Sequence, residues 1–289
     1  MMRIAGEEYE QIACLEEDFG PAETGVSAVD RDKITNYLLE ELGIEDAIAS
    51  YANKRRLLEE LLVELSPGYG LTERFYGLLD ALLQVELEQK HLTDADLLPR
   101  IESGTHNELS KVAIWKGDIT TLKVDAIVNA ANEHLLGCFI PFHGCIDNAI
   151  HCAAGPRLRR DCYTIMSLQG EAEPTGPAKV TRAYNLPSRY VIHTVGPMVN
   201  GQLTELDRTD LRNSYLSCLE SSKELRGIRS IAFCSISTGL HGFPFEQAAK
   251  IAIQAVNTWL AENPDQLDYV VFNVFKDSEE MIYQRLVGS

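Results

Sequence analysis

Apolar residues recur every three to four positions over residues 29–66. They run first as Ile34, Tyr37, Leu38 and Leu42, then through residues 54–65 with Leu57, Leu58, Leu61, Leu62 and Leu65. That period predicts helix. The cluster Ser66-Pro67-Gly68-Tyr69-Gly70 interrupts it, and Leu78, Leu79, Leu82 and Leu83 restore it over residues 71–90. A short helix is expected over residues 92–100, after Thr93. Strand signals are scarce before residue 110. The pattern predicts a small helical N-terminal domain over residues 1–105, with its boundary near Ser103-Gly104-Thr105.

The pattern then changes. KVAIWKGDIT and VDAIVNAA are short β-rich runs, and a helix is predicted from Ile146 to Leu168. AKVTRAYNL and YVIHTVG read as paired strands around Pro187-Ser188. Helical stretches over residues 207–225 and 245–262 alternate with the apolar runs SIAFCSIS and YVVFNVF. Apolar strands alternating with helices predict an α/β domain over residues 106–289 with a largely buried mixed sheet.

The net charge of −17 divides unevenly. Residues 1–105 carry 9 basic and 23 acidic side chains, and residues 106–289 carry 17 and 20. Acidity of the first part argues against nonspecific nucleic-acid or anionic-membrane binding by it, because like charges repel. The nearly neutral second part can still take an anionic ligand on backbone groups. No run of about 18 apolar residues exists to span a membrane, and the start has no secretory pattern. The expected location is the cytoplasm. Seven cysteines, at 14, 138, 145, 152, 162, 218 and 234, are odd in number and do not suggest a disulfide framework.

Several segments carry candidate chemistry. Ser237-Thr238-Gly239-Leu240-His241-Gly242-Phe243-Pro244 lies between a buried strand and a helix. It is equally a tight turn and a cradle whose backbone N–H groups surround a diphosphate. Asn129 and Asn132 close a strand and can either cap a loop or bond sugar hydroxyls. Asp118, after Lys116-Gly117, is a turn former or an acceptor for an adenine amino group. Cys138, His143 and Cys145 place two thiols and an imidazole within eight residues. They suit Zn²⁺ with a fourth position open, and the alternative is a cysteine-rich packed loop. Asp147 begins the helix after that loop, where an acid favours the helix dipole or handles a proton beside a metal. His134, His151 and His193 read as structural, as do Cys152, Cys162, Cys218 and Cys234.

Together these segments resemble a macrodomain over residues 111–285. The resemblance rests on Lys116-Gly117-Asp118-Ile119-Thr120, Val128-Asn129-Ala130-Ala131-Asn132, Asp147-Asn148-Ala149-Ile150-His151, His193-Thr194-Val195-Gly196-Pro197 and residues 237–244, in that order. It implies a three-layer α/β/α fold with a mixed sheet and an ADP-ribose cleft. By family position Asp118 would hold the adenine amino group and Ile119 a backbone contact beside it. Asn132 would face the distal ribose, and Asp147 takes the catalytic aspartate's place. Ser237, Thr238, Gly239, Leu240, His241 and Gly242 would wrap the diphosphate, with Phe275 packing on adenine. One departure matters: the glycine run usual in the hydrolytic branch is replaced by residues 138–144, and His241 stands where an aromatic residue is common. This is similar to the zinc-containing branch of bacteria and fungi, which carries a helical N-terminal extension, and it weighs against metal-free hydrolysis.

The resemblance therefore implies hydrolysis of mono-ADP-ribose from modified proteins, as an ester to an acidic side chain. One Zn²⁺ per chain on Cys138, His143 and Cys145 would polarise the distal ribose or a water, with Asp147 and Asn132 as catalytic residues. The implied partners are ADP-ribose and mono-ADP-ribosylated protein. Two alternatives stand beside it: a non-catalytic ADP-ribose reader, and a purely structural zinc with catalysis resting on Asp147.

Overall fold

The structure is a computed structural model of the 289-residue chain and describes residues 9–11, 13–17, 19–20, 31–45, 50–101, 107–225 and 227–288. The expected boundary at residues 103–105 lies outside the described residues, as do residues 29–30 and 46–49 of the first predicted helix.

Among the described residues the N-terminal unit holds the helices α1 (Arg31–Glu41), α2 (Tyr51–Glu64) and α3 (Glu73–Glu88). The expected helix over residues 29–66 is therefore two. Glycine is the residue that takes a left-handed φ without strain, and Gly43, at φ 85°, turns the chain just past α1. Ser50 and Thr72 cap α2 and α3 by accepting from Asn53 and Phe75 backbone N–H groups. The three helices share a small core of Ile34, Leu38, Leu39, Leu58, Phe75, Leu79 and Leu82. The short helix expected after Thr93 is instead a strand, β1 (Thr93–Asp94), and one 3₁₀ turn (Ala95–Leu97) capped by Asp94.

The remaining strands are β2 (Val112–Lys116), β3 (Leu122–Lys123), β4 (Ala126–Ala130), β5 (Ala178–Arg182), β6 (Tyr190–Thr194), β7 (Ser230–Phe233) and β8 (Tyr269–Val274). β1 and β3 form a parallel pair. The main sheet runs β2-β8-β7-β4-β6-β5. All neighbours are parallel except β5, which pairs antiparallel with β6 through Ala178↔Thr194 to Arg182↔Tyr190. Every residue of β6, β7 and β8 is buried. Successive side chains point to opposite faces, so both faces of the sheet are covered.

Helices supply that cover. α4 (Ile146–Ala154) and α5 (Pro156–Gln169) pack together; α6 (Glu205–Glu224), α7 (Phe245–Glu262) and α8 (Asp277–Val287) form the other group. The single helix expected over residues 146–168 breaks at Gly155, at φ 87°, with Pro156 opening the next. The large core also takes in Tyr9, Ala13, Leu15, Ala95 and Leu109.

The helical unit is seated on the sheet domain through α5. Arg157 reaches Asp80 at 2.8 Å and Glu73 at 3.1 Å, and Arg160 reaches Glu73 at 3.0 Å. Asn185 donates to Asp80 at 2.7 Å and accepts from Gln84 at 3.0 Å. Among the described residues no helix is long and apolar enough to cross a membrane.

Candidate active site

Every segment singled out for chemistry follows the carboxyl end of a parallel strand, the edge where such sheets gather their ligands. β2 leads to Gly117-Asp118, β4 to Ala131-Asn132, β6 to residues 195–199, β7 to the turn over 235–244 and β8 to Phe275.

The most constrained group is Asp147. It is buried in the first turn of α4, and its two oxygens are bonded to residues from the end of β4. Asn129 donates to Oδ1 at 2.8 Å and Asn132 donates to Oδ2 at 3.3 Å. Burial pushes the Asp147 carboxyl up to about 6, against the Asn129 bond, the charge of Arg159 and the Asn132 bond, which pull it down. Asn132 also donates to the Gly137 carbonyl at 2.9 Å, so one carboxamide joins Asp147 to the loop that follows.

Behind Asp147 the network continues into the core. Asn129 donates to His193 Nδ1 at 3.2 Å. Nδ1 is thereby an acceptor, and Nε2–H donates to Thr181 Oγ1 at 2.9 Å. His151 Nε2 lies 3.5 Å from Asp147 Oδ1. Burial holds His193 down to about 3 and His151 well below the ordinary imidazole range, so both rings are neutral. These histidines read as structural from sequence, and the geometry makes them the backing of Asp147. A cavity that His151 helps to line is also walled by Arg55, Glu59, Cys152 and Arg159.

Cys138, His143 and Cys145 converge as their spacing suggests. Their donor atoms all lie within 4.8 Å of one another. Cys138 Sγ is 3.5 Å from His143 Nδ1, which matches the roughly 3.5 Å that tetrahedral Zn²⁺ imposes on sulfur and nitrogen ligands. Cys145 caps α4, its sulfur accepting from Asn148 N–H at 3.4 Å, and Asn148 Nδ2 donates to the His143 carbonyl at 3.1 Å. Burial, with the Cys138 thiol and the Asp147 carboxylate beside it, pushes the Cys145 thiol up to about 11. Crowded groups that repel as anions are the donor set a dication suits, so these residues fit zinc. A second group, His151, Cys162 and His193, also brings donors within 4.8 Å in the core. There Asn129 and Thr181 already engage both His193 nitrogens, and burial holds Cys162 well above the ordinary thiol range. Cys218 and Cys234 are buried.

The turn after β7 has an anion-binding form. Ser237 is buried and held at φ 63°, and its carbonyl accepts from Phe243 N–H at 3.0 Å. Gly242 N–H bonds the Gly239 carbonyl, while the backbone N–H groups of Gly239, Leu240 and His241 have no acceptor among the described residues. Successive unpaired N–H groups make a concavity for phosphate oxygens. His241 donates from Nδ1 to the Gly196 carbonyl at 3.0 Å and accepts from Val199 N–H through its own carbonyl at 2.8 Å, tying this turn to the end of β6. Leu240 is exposed.

Asp118 is exposed. Its Oδ1 accepts from Thr120 N–H at 3.0 Å and Thr120 Oγ1–H at 2.7 Å, and Oδ2 carries no bond among the described residues. Ile119 is buried, leaving its backbone for any ligand contact. Asn273 donates to the Gly117 carbonyl at 2.9 Å, which holds the Asp118 turn beside exposed Phe275.

Known proteins resemble the chain over most of its length. A family model described as "Macro domain" matches residues 128–252. The chain is 47% identical to a protein-ADP-ribose hydrolase of Treponema medium, over 82% of this chain and 88% of that one. It is 42% identical to a protein-ADP-ribose hydrolase of Staphylococcus aureus, over 77% and 81%. Among solved structures it resembles a Trypanosoma brucei macrodomain in complex with ADP-ribose, at a TM-score of 0.62 and 31% identity, covering 79% of this chain and 95% of that one.

Proposed function

Because the chain belongs to the macrodomain family, with protein-ADP-ribose hydrolases among its relatives, we propose that it hydrolyses mono-ADP-ribose from modified proteins at the Asp147 site. The observation that carries this reading is Asp147 itself. A carboxyl held by two carboxamides, with burial raising it to about 6, sits beside the metal-type loop. A group poised near neutrality is suited to proton transfer at physiological pH.

ADP-ribose lies, on this reading, along the carboxyl edge of the sheet. Asp118 accepts from the adenine amino group, a backbone group of Ile119 lies beside it, and Phe275 packs on the ring. The diphosphate rests on Ser237, Thr238, Gly239, Leu240, His241 and Gly242, where the free N–H groups favour it. Asn132 orients the distal ribose toward Asp147. Water attacks the anomeric carbon of the distal ribose, the bond from that carbon to the ester oxygen breaks with the side-chain carboxylate leaving, and Asp147 takes the proton of the water, so that free ADP-ribose and the restored carboxyl result. Cys138, His143 and Cys145 are the residues to hold zinc, which when bound supplies Lewis acidity at the distal ribose. An acidic-side-chain ester is the preferred linkage because a carboxylate is a good leaving group.

The test is single-turnover release of ADP-ribose from a mono-ADP-ribosylated protein by wild type, chelated enzyme and Asp147→Ala. Fast release by wild type and slow release by Asp147→Ala is the expected result. Binding of ADP-ribose with no release by wild type would instead make the protein a reader.

A further inference from the structure

The helical unit bears on the metal-type loop at two points, directly through Arg56 of α2 and indirectly through Arg159 of α5, which the end of α2 binds. Arg56 of α2 lays its guanidinium over the Phe142 ring, 4.3 Å from the centroid. Arg159 of α5 lays its guanidinium over Phe139 at 4.5 Å. Arg159 is buried, and its Nη1 donates to the carbonyls of Leu62, Val63 and Leu65 at 3.0, 3.0 and 3.2 Å. Those are the last-turn carbonyls of α2, which has no basic residue in that turn and no glycine to close it. The end of α2 thus fixes the cation that covers Phe139, and its side covers Phe142.

The two rings bracket the loop. Phe139 follows Cys138, and Phe142 precedes His143. Phe142 has φ 57°, a left-handed conformation that a bulky side chain keeps only when its surroundings hold it. α2 is itself held in place. Arg55 pairs with Glu86 of α3 through two bonds of 2.8 and 3.0 Å, and α2 packs on α4, whose first turn carries Asp147.

We propose that α2 is a clamp that holds residues 138–145 in ligand geometry, with Arg56 and Arg159 as positioning residues and the helical unit as a working part of the metal centre. This rests on the reading of Cys138, His143 and Cys145 as metal ligands. An unclamped loop must be ordered when the metal binds, and that entropy is subtracted from affinity. The contacts proposed for adenine and diphosphate lie outside residues 138–145, so ADP-ribose affinity should change little.

Arg56 is exposed and can be changed without opening the core, which makes it the residue to test. Zinc affinity is measured by competition with a chromophoric chelator for wild type, Arg56→Ala, Arg56→Lys, Phe142→Leu and the double variant Arg56→Ala/Phe142→Leu. One cation–π contact predicts about two- to fivefold weaker zinc binding in Arg56→Ala. Phe142→Leu should lose as much, the double variant no more than either alone, and Arg56→Lys should be partly restored, all with unchanged ADP-ribose affinity. Amide exchange at residues 139–144 of the zinc-free protein should also quicken in Arg56→Ala. Unchanged exchange, or additive losses of zinc affinity in the double variant, overturns the clamp. Cys145→Ser with full zinc content overturns the ligand assignment instead, while the exchange result still decides whether the clamp exists.

Discussion

Asn129 donates to Asp147 at 2.8 Å across eighteen positions of chain, with Asn129 fully buried. The bond locks the end of β4 to the first turn of α4 and aims the carboxylate. Asn129 also donates to His193, and its own Oδ1 is a buried acceptor without a donor among the described residues. Replacing it with alanine strips a charge-assisted bond from Asp147 and an acceptor's partner from His193. Asn129→Ala should cost about 1.5–3 kcal/mol of folding stability and slow ADP-ribose release. Denaturant unfolding with an unchanged midpoint would show that the bond aims nothing.

Acid should weaken the fold through His193. Its folded pKa is depressed from 6.5 to about 3 by burial. Its contribution is therefore fully present above pH 6.5 and is lost as pH falls toward 3. Asp147 is raised to about 6 and works in the opposite direction over the same range. The His193 contribution must therefore be read from the difference between wild type and His193→Gln. With chelator present throughout, the advantage of wild type should shrink by about 2 kcal/mol between pH 7.5 and pH 5. A pH-independent difference would mean that His193 is already charged or already exposed.

What could be read from the chain divides by sequence distance. Strand and helix order, the metal-type trio and the turn after β7 follow from local patterns within about a dozen residues. The break at Gly155 is also legible, as a glycine followed by proline, although a single helix is expected over residues 146–168. The backing of Asp147 was not visible, because Asn129 and His193 stand 64 positions apart and each has an adequate local explanation. Nor was the clamp: Arg159 bonds carbonyls 94 to 97 positions upstream, and an arginine on an amphipathic helix carries no sign of its partner.

On the proposed reading, adenine recognition rests on Asp118. Since its Oδ1 is used by Thr120, the ligand must take Oδ2. Asp118→Ala should weaken ADP-ribose about ten- to a hundredfold by calorimetry, with zinc content unchanged. An unaltered dissociation constant would move the adenine elsewhere.

Purified protein should hold close to one zinc per chain by elemental analysis. Cys138→Ala and Cys145→Ala should each lose it, because two ligands hold the ion poorly, while Asp147→Ala should keep it. Chelation should stop turnover and leave ADP-ribose affinity within about tenfold, since the diphosphate turn and Asp118 lie outside the ligand set. Wild-type rates after complete chelation would leave zinc a structural role and catalysis to Asp147.

Gly196 and Ser237 set the shape of the turn after β7, the proposed diphosphate site. A Cβ at Gly196 would overlap Ser237 Oγ and lie 2.5 Å from Ile236 Cγ2. The Ser237 backbone is held, buried at φ 63° with its carbonyl bonded to Phe243 N–H, so relief must come from the side chain turning within a packed site. Gly196 cannot move away, because its carbonyl accepts from His241 of the same turn. The added methyl must therefore push aside the Ser237 hydroxyl and the Ile236 methyl, both in the turn whose free N–H groups are proposed to face the diphosphate. Overpacking of this kind costs about 1–3 kcal/mol, and here the strain falls on the binding turn. Gly196→Ala should weaken ADP-ribose more than tenfold while zinc content stays at wild type. The relation can be inverted: Ser237→Gly removes the overlapping oxygen and suits the left-handed φ. The double variant Gly196→Ala/Ser237→Gly should then bind ADP-ribose better than Gly196→Ala alone. If the second substitution deepens the loss, the damage does not run through Ser237, and the Ser237 hydroxyl contacts the ligand directly.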